Sequence, residues 1–208
     1  AVALYMQYLQ TGEMPQLPAV PQFKEYIQWL SHRDYNEAKV FWQGFLAGFE
    51  SPTSVLGKKP NHSSLFKTTK LHAEMSAEKL SALKAVAQES GTTLYVVLES
   101  IWSLLLSRYN ASYDVVYGRL LSGRPAEIKD VDRILGLFIN TLPQRISVTD
   151  SATFKQLLEQ VADAGLRSFE HQYYPLSEIQ QMTPTGANLF DHLLEFNIEY
   201  NEDTVEDG

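Results

Sequence analysis

Cysteine is absent from all 208 residues, which removes disulfide frameworks, thiolate metal sites and a thiol nucleophile together. Histidine is scarce and scattered. His32, His62, His72, His171 and His192 stand alone, with none of the spacings that build a metal centre. No apolar run approaches the roughly 20 residues that a bilayer requires, and the first residues lack a charged start followed by a short apolar core. The sequence thus predicts a cytoplasmic location with no membrane partner. Positive charge is short as well, with 17 Lys and Arg against 25 Asp and Glu, and Gly57-Lys58-Lys59 is the densest basic point. Nucleic acid, whose phosphates need a concentrated cationic face, is excluded as a partner. With 44% apolar and 20% charged residues, however, the chain can bury a sizeable core.

What is present is organised around residues 113–146, YDVVYGRLLSGRPAEIKDVDRILGLFINTLPQRI. Asp114 to Leu121 predicts a half-buried strand that Gly123 and Pro125 stop, and a second strand runs from Phe138 to about Val148. Between them Ile128, Val131, Ile134 and Leu135 recur at helical spacing, predicting a short amphipathic segment that covers a sheet edge.

On the N-terminal side, Ala1 to Leu9 is helix-competent, and Gly12, Pro15, Pro18 and Pro21 make an extended linker. Phe23, Tyr26, Ile27 and Leu30 then share a helix face, and a second face follows a polar break through Val40, Phe41, Phe45 and Leu46. Trp42, within it, reads as a packing aromatic or as a residue steadying a junction between lobes. Glu50 to Ser64 is a loop and Phe66 to Met75 alternates like a strand, with His72 on its surface. Ser76 caps a helix that Gly91 ends, and Thr92 or Thr93 opens the next. That helix, Leu94 to Leu106, is apolar on nearly every side and is expected to be buried all round.

On the C-terminal side, Asp150 or Ser151 caps a helix with a Phe154, Leu157, Leu158, Val161 and Phe169 stripe. Pro175 to Met182 starts a short helix, and His192 to Tyr200 alternates as a closing strand before an acidic tail. No internal repeat or low-complexity tract is present.

GRLLSGRPAEI followed by ILGLFINTLPQR resembles the condensation domains of nonribosomal peptide synthetases, where a strand ending in SGRP precedes a GxFxNTLPxR segment. EAKVFWQGFLAG, HQYYPLSEI and ANLFDHLLEFN resemble further segments of that family, so the likeness covers nearly the whole chain. It implies an α/β, chloramphenicol-acetyltransferase-like lobe with a mixed β-sheet covered by helices. The family's catalytic signature, HHxxxDG, is missing, and it precedes a segment like YMQYLQTGEMPQLP. The resemblance therefore implies the C-terminal lobe: residues 1–50 are a helical and linker segment following an N-terminal lobe, and residues 51–208 are the C-terminal lobe itself.

The chemistry so implied is amide-bond formation between a carrier-bound acyl or peptidyl thioester and an amino-acyl acceptor. No cofactor is bound directly, because the substrates arrive on phosphopantetheine arms. The implied partners are an N-terminal lobe, peptidyl carrier proteins and an adenylation domain. An uncovered lobe junction at Val2, Leu4, Tyr5, Leu9 and residues 193–200 would favour self-association. No catalytic residue is expected here, and the isolated chain is expected to be inactive.

Supporting roles fall on three residues. Arg124 would pair with the aspartate of HHxxxDG or serve as a turn arginine; Asn140 satisfies a neighbouring loop; Asn197 contacts substrate or lies on a solvated strand face. His171 is a helix-end polar contact before it is a catalytic base, and Arg145 is structural. Other functional classes are an epimerisation domain, disfavoured because LLEFNIEYN lacks the glycine of that family's NYLGQF-like strand, and a docking or binding module without catalysis.

Overall fold

Two strands form where the sequence predicts them, β1 over Asp114–Leu121 and β2 over Asn140–Ser147. They pair antiparallel from Asp114 opposite Ser147 to Leu121 opposite Asn140. The computed structural model describes residues 2–14, 20–55 and 68–196, with side chains described from residue 4. It divides into two units, residues 1–33 with 124–138 and residues 34–123 with 139–208. The chain therefore leaves the larger unit after Gly123 and returns to it at Ile139, and residues 34–50 belong with the sheet.

In the larger unit β1 is central. A short third strand, β3 (Leu193–Leu194), runs parallel to it at Gly118 and Arg119, giving the order β2-β1-β3. Gly118 permits this approach, since a Cβ there would collide with the side chains of Leu193 and Phe190. Alternation along β1 separates two apolar layers. Val115 and Tyr117 pack with Leu106, Leu157 and Val161 beneath α5 (Leu94–Asn110) and α6 (Phe154–Glu170). Val116 faces the other way, with Ala38 and Trp42 of α3 (Tyr35–Phe45) and Ile179 of α7 (Leu176–Gln181). Between the layers' ends, α4 (Ala77–Glu89) closes on α5 and α6 through Ala87, Val97 and Leu158.

The helix starts follow from side-chain caps. Asp34 accepts from the Asn36 and Glu37 N–H groups, Ser76 from Lys79 and Thr93 from Val96, each worth about 1 kcal/mol. The cap of α6 is Thr153, which exchanges hydrogen bonds with Gln156 in a capping box, rather than Asp150 or Ser151. Reciprocal bonding at Thr153 satisfies two backbone donors, which neither upstream candidate does.

Several expectations are corrected. Residues 68–75 form no strand; alternation alone is a weak signal where no partner edge is at hand. Buriedness of α5 is one-sided, because Ile101 and Leu105 are 41% and 55% exposed. The closing strand is paired only at Leu193–Leu194 among the described residues, and residues 197–200 lie outside them. The acidic tail, His62 and Gly57-Lys58-Lys59 lie outside them too.

The smaller unit holds α1 (Val2–Thr11), α2 (Phe23–Ser31) and the 124–138 segment. That segment was expected to cover a sheet edge. Instead Ile128, Val131, Ile134 and Phe138 pack with Phe23, Tyr26 and Trp29 of α2, because aromatic faces offer a larger apolar partner. Leu135 points out at 89% exposure, since a single 3₁₀ turn at Val131–Arg133 cannot carry four residues on one face.

Candidate functional site

Two polar groupings stand out in the larger unit, one buried where apolar side chains are the rule and one at the surface. The first lies between α5 and β1. Glu99 is fully buried, with Oε1 3.3 Å from Arg119 Nε. Tyr117 Oη donates to the same oxygen at 3.5 Å, Ser103 Oγ is 3.4 Å from Tyr117 Oη, and Arg119 Nε donates to Tyr95 Oη at 3.1 Å. Burial pushes Glu99 from its ordinary 4.5 up to about 7, against the pull of Arg119, Tyr95 and Tyr117. Tyr95 rises to about 12, first by burial and then by the negative charge of Glu99, and Tyr117 rises for the same two reasons. Sealed from solvent, Glu99 reaches no substrate itself; it fixes Arg119, which reaches a cavity.

The second grouping is centred on Asp191. Ser54 Oγ donates to it at 2.5 Å and the Val55 N–H at 3.2 Å, and His192 Nδ1 lies 2.9 Å away. Burial raises this carboxyl, but hydrogen bonds from Ser54, His192 and Val55 outweigh it and hold the group below the usual carboxylate range. Asp191 thereby ties residues 53–55 to the β3 approach, beside the Thr53–Phe190 bridge. The His192 ring packs on Trp102 and Tyr117, and its Nε2 is buried without a hydrogen bond among the described residues.

The residues singled out in the sequence are spread over both units. In the smaller one, Arg124 NH1 donates to the Val131 carbonyl and, at 3.1 Å, to that of Ile134, while its guanidinium carbon stands 4.2 Å over the Phe138 ring. In the larger one, Asn140 Nδ2 donates to the Gln172 carbonyl and its Oδ1 accepts from the Thr141 N–H at 2.8 Å. Asn197 lies outside the described residues.

Arg145 grips Asp114 through Nε and NH2 at 3.0 and 2.7 Å and gives NH1 to the Phe45 and Ala47 carbonyls. His171 follows α6 as its C-cap, its ring stacks on Phe41 with centroids 4.2 Å apart, and its carbonyl accepts from Trp42 Nε1 at 3.3 Å. Trp42 itself is a fully buried core residue.

Sequence reasoning passed over Glu99, Arg119 and Asp191. A signal existed for the first two: each is the single charge in an otherwise apolar run, LYVVLESIW and VVYGRLL, and the charges are opposite. Asp191 had none beyond its place in ANLFDHLLEFN. No group of three or more metal-ligating residues occurs among the described residues, and none of their helices is long and apolar enough to cross a membrane.

Comparison with known proteins adds family evidence. The family model described as "Condensation domain" matches residues 2–208. Surfactin synthase subunit 3 of Bacillus subtilis (strain 168) is 35% identical over 198 residues, covering 92% of this chain and 15% of that protein. Gramicidin S synthase 2 of Brevibacillus brevis is 36% identical over 180 residues, 86% of this chain and 4% of its own length. Among solved structures, the first condensation domain of the CDA synthetase superposes with a TM-score of 0.70 at 19% identity, over 86% of this chain and 40% of that one. The X-domain from teicoplanin biosynthesis gives 0.72 at 21%, over 87% and 42%. The chain thus spans less than half the length of each of these proteins.

Proposed function

The chain belongs to the condensation-domain family, with the chloramphenicol-acetyltransferase-like fold of that family, and from that premise we propose that it is the C-terminal lobe of a domain that forms amide bonds in nonribosomal peptide synthesis. The observation that carries this reading is the family match over residues 2–208 together with the absence of any adjacent histidine pair in the same residues. The base that relieves the developing ammonium charge would then come from an N-terminal lobe. This lobe would supply one wall of the substrate channel and hold donor and acceptor in line, a contribution of position rather than proton transfer. Substrates would be thioesters on the phosphopantetheine arms of carrier proteins, with an adenylation domain as neighbour and no cofactor bound directly.

Arg124 is the supporting residue with the clearest part. Its NH1 is committed to the Val131 and Ile134 carbonyls, so the guanidinium is held in one orientation. We assign its remaining edge to the aspartate of the partner lobe's HHxxxDG. Asn140 acts through the Gln172 carbonyl as a brace, and Asn197 would contact substrate from the closing strand.

The test is reconstitution. The 208-residue chain is assayed with two loaded carrier proteins, alone and mixed with a separately produced N-terminal lobe carrying HHxxxDG. Dipeptidyl product is expected only from the mixture. Product from the chain alone overturns the lobe assignment, and no product from a mixture shown to associate overturns the amide-forming role.

A further inference from the structure

Between the N-terminal end of α5 and α6 lies a cavity of about 560 Å3, within the span of about 300–1,000 Å3 that small-molecule sites occupy. Its walls are apolar: Val96 from α5 and Val161, Ala162, Leu166 and Phe169 from α6. One cation opens into it, Arg119.

The Arg119 side chain is 14% exposed, and its inner edge is already occupied by Glu99 and Tyr95. Its terminal nitrogens NH1 and NH2 make no hydrogen bond to another described residue and are not sealed from the cavity. Gly165 leaves the space in which NH1 sits, since a Cβ there would come within 2.8 Å of that nitrogen.

We propose that this cavity binds a small monocarboxylate carrying an apolar chain or ring, with Arg119 taking the carboxylate and α6 the apolar body. Two parallel N–H groups on one guanidinium match the two oxygens of a carboxylate. The Glu99 and Tyr95 contacts fix the fork before any ligand arrives, which lowers the ordering cost of binding. The start of α5, with Thr92 and Thr93 at the rim, adds the positive end of a helix dipole. A single cation already shared with Glu99 suits one negative charge better than a phosphate dianion. Nothing here depends on amide-bond chemistry, so this site stands apart from the proposed function.

The probe is sodium octanoate, titrated calorimetrically into the 208-residue chain, with octylamine and inorganic phosphate in parallel. Saturable octanoate binding is expected, with no binding of octylamine and no competition from phosphate. Leu166→Glu places a negative charge at the mouth from an exposed helix position, and weakens octanoate by about tenfold or more, the scale of one charge-assisted hydrogen bond. Ala162→Phe fills the cavity and abolishes binding. Circular dichroism checks that each variant keeps its fold, and Leu166→Glu decides alone if Ala162→Phe does not. Absence of saturable octanoate binding overturns the proposal, as does octylamine binding equally well, phosphate competing equally well, or Leu166→Glu leaving the affinity unchanged.

Discussion

Glu99 Oε1 and Arg119 Nε stand 3.3 Å apart, the carboxylate on a helix and the guanidinium on the central strand beneath it. The ion pair is intimate, yet burial outweighs attraction and the carboxyl rises from 4.5 to about 7.

Stability should therefore depend on pH in a definite direction. Below pH 4.5 Glu99 is protonated in both folded and unfolded chains. From 4.5 to about 7 the unfolded chain releases this proton while the folded chain keeps it, so stability falls as pH rises, by up to about 1.4 kcal/mol per pH unit. Glu99→Gln should flatten this part of the melting-temperature profile relative to wild type. A variant profile parallel to wild type across that window would refute the assignment.

Arg145 joins Asp114 to two carbonyls of the α3 exit. Arg145→Lys keeps the charge and loses the fork, so denaturant unfolding should show about 1–3 kcal/mol less stability. A loss as small as that of an exposed ion pair would mean the carbonyl contacts contribute nothing.

Ala111 ends α5 in the left-handed region, with φ 48°. Glycine adopts that conformation without a Cβ clash, so Ala111→Gly should stabilise the chain by about 0.5–1 kcal/mol. Thermal unfolding measures it, and a lower melting temperature contradicts it.

Gly118 admits Leu193 and Phe190 against β1. Gly118→Val should expel that segment and cost about 1–3 kcal/mol. Hydrogen exchange provides the direct reading: the Gly118 N–H, bonded to the His192 carbonyl at 3.2 Å, should lose protection while Tyr117, opposite Gln144 of β2, keeps its own. Retained protection at Gly118 would show that the segment tolerates the branch.

Arg124 holds two carbonyls and the Phe138 face. Arg124→Ala should destabilise by about 1–3 kcal/mol, with Arg124→Lys intermediate. In the reconstituted domain the alanine variant should lose melting temperature more than substrate affinity. Wild-type melting and turnover in that variant would reduce the residue to an ordinary turn arginine.

The strands β1 and β2, though not their pairing, were legible because β-branched runs, Gly123 and Pro125 state local preferences that the tertiary structure keeps. The cap at Ser76 was legible for the same reason, and that of α5 was narrowed to Thr92 or Thr93, of which Thr93 is the one used. The 124–138 segment was legible as apolar but not as to its partner, since spacing reveals a face and never what covers it. Of the strand expected at residues 66–75, the described residues 68–75 form none, because pairing, rather than alternation, makes a strand. Glu99 and Arg119 lie on different elements, and only the register of α5 on β1 brings their charges together. The Asp191 contacts, to Ser54 and Val55, span most of the chain and leave no local trace.

The slot at Gly118 also bears on how the chain is made. A ribosome adds about 5–20 residues per second, and β1 and β2 are complete before residues 190–194 are synthesised. Throughout that interval one edge of β1 keeps unpaired N–H and C=O groups, the kind of edge to which a foreign strand adds. Slow translation between β2 and Phe190 would lengthen this window without changing a residue, so the codons of α6 and α7 bear on how much soluble protein a cell recovers.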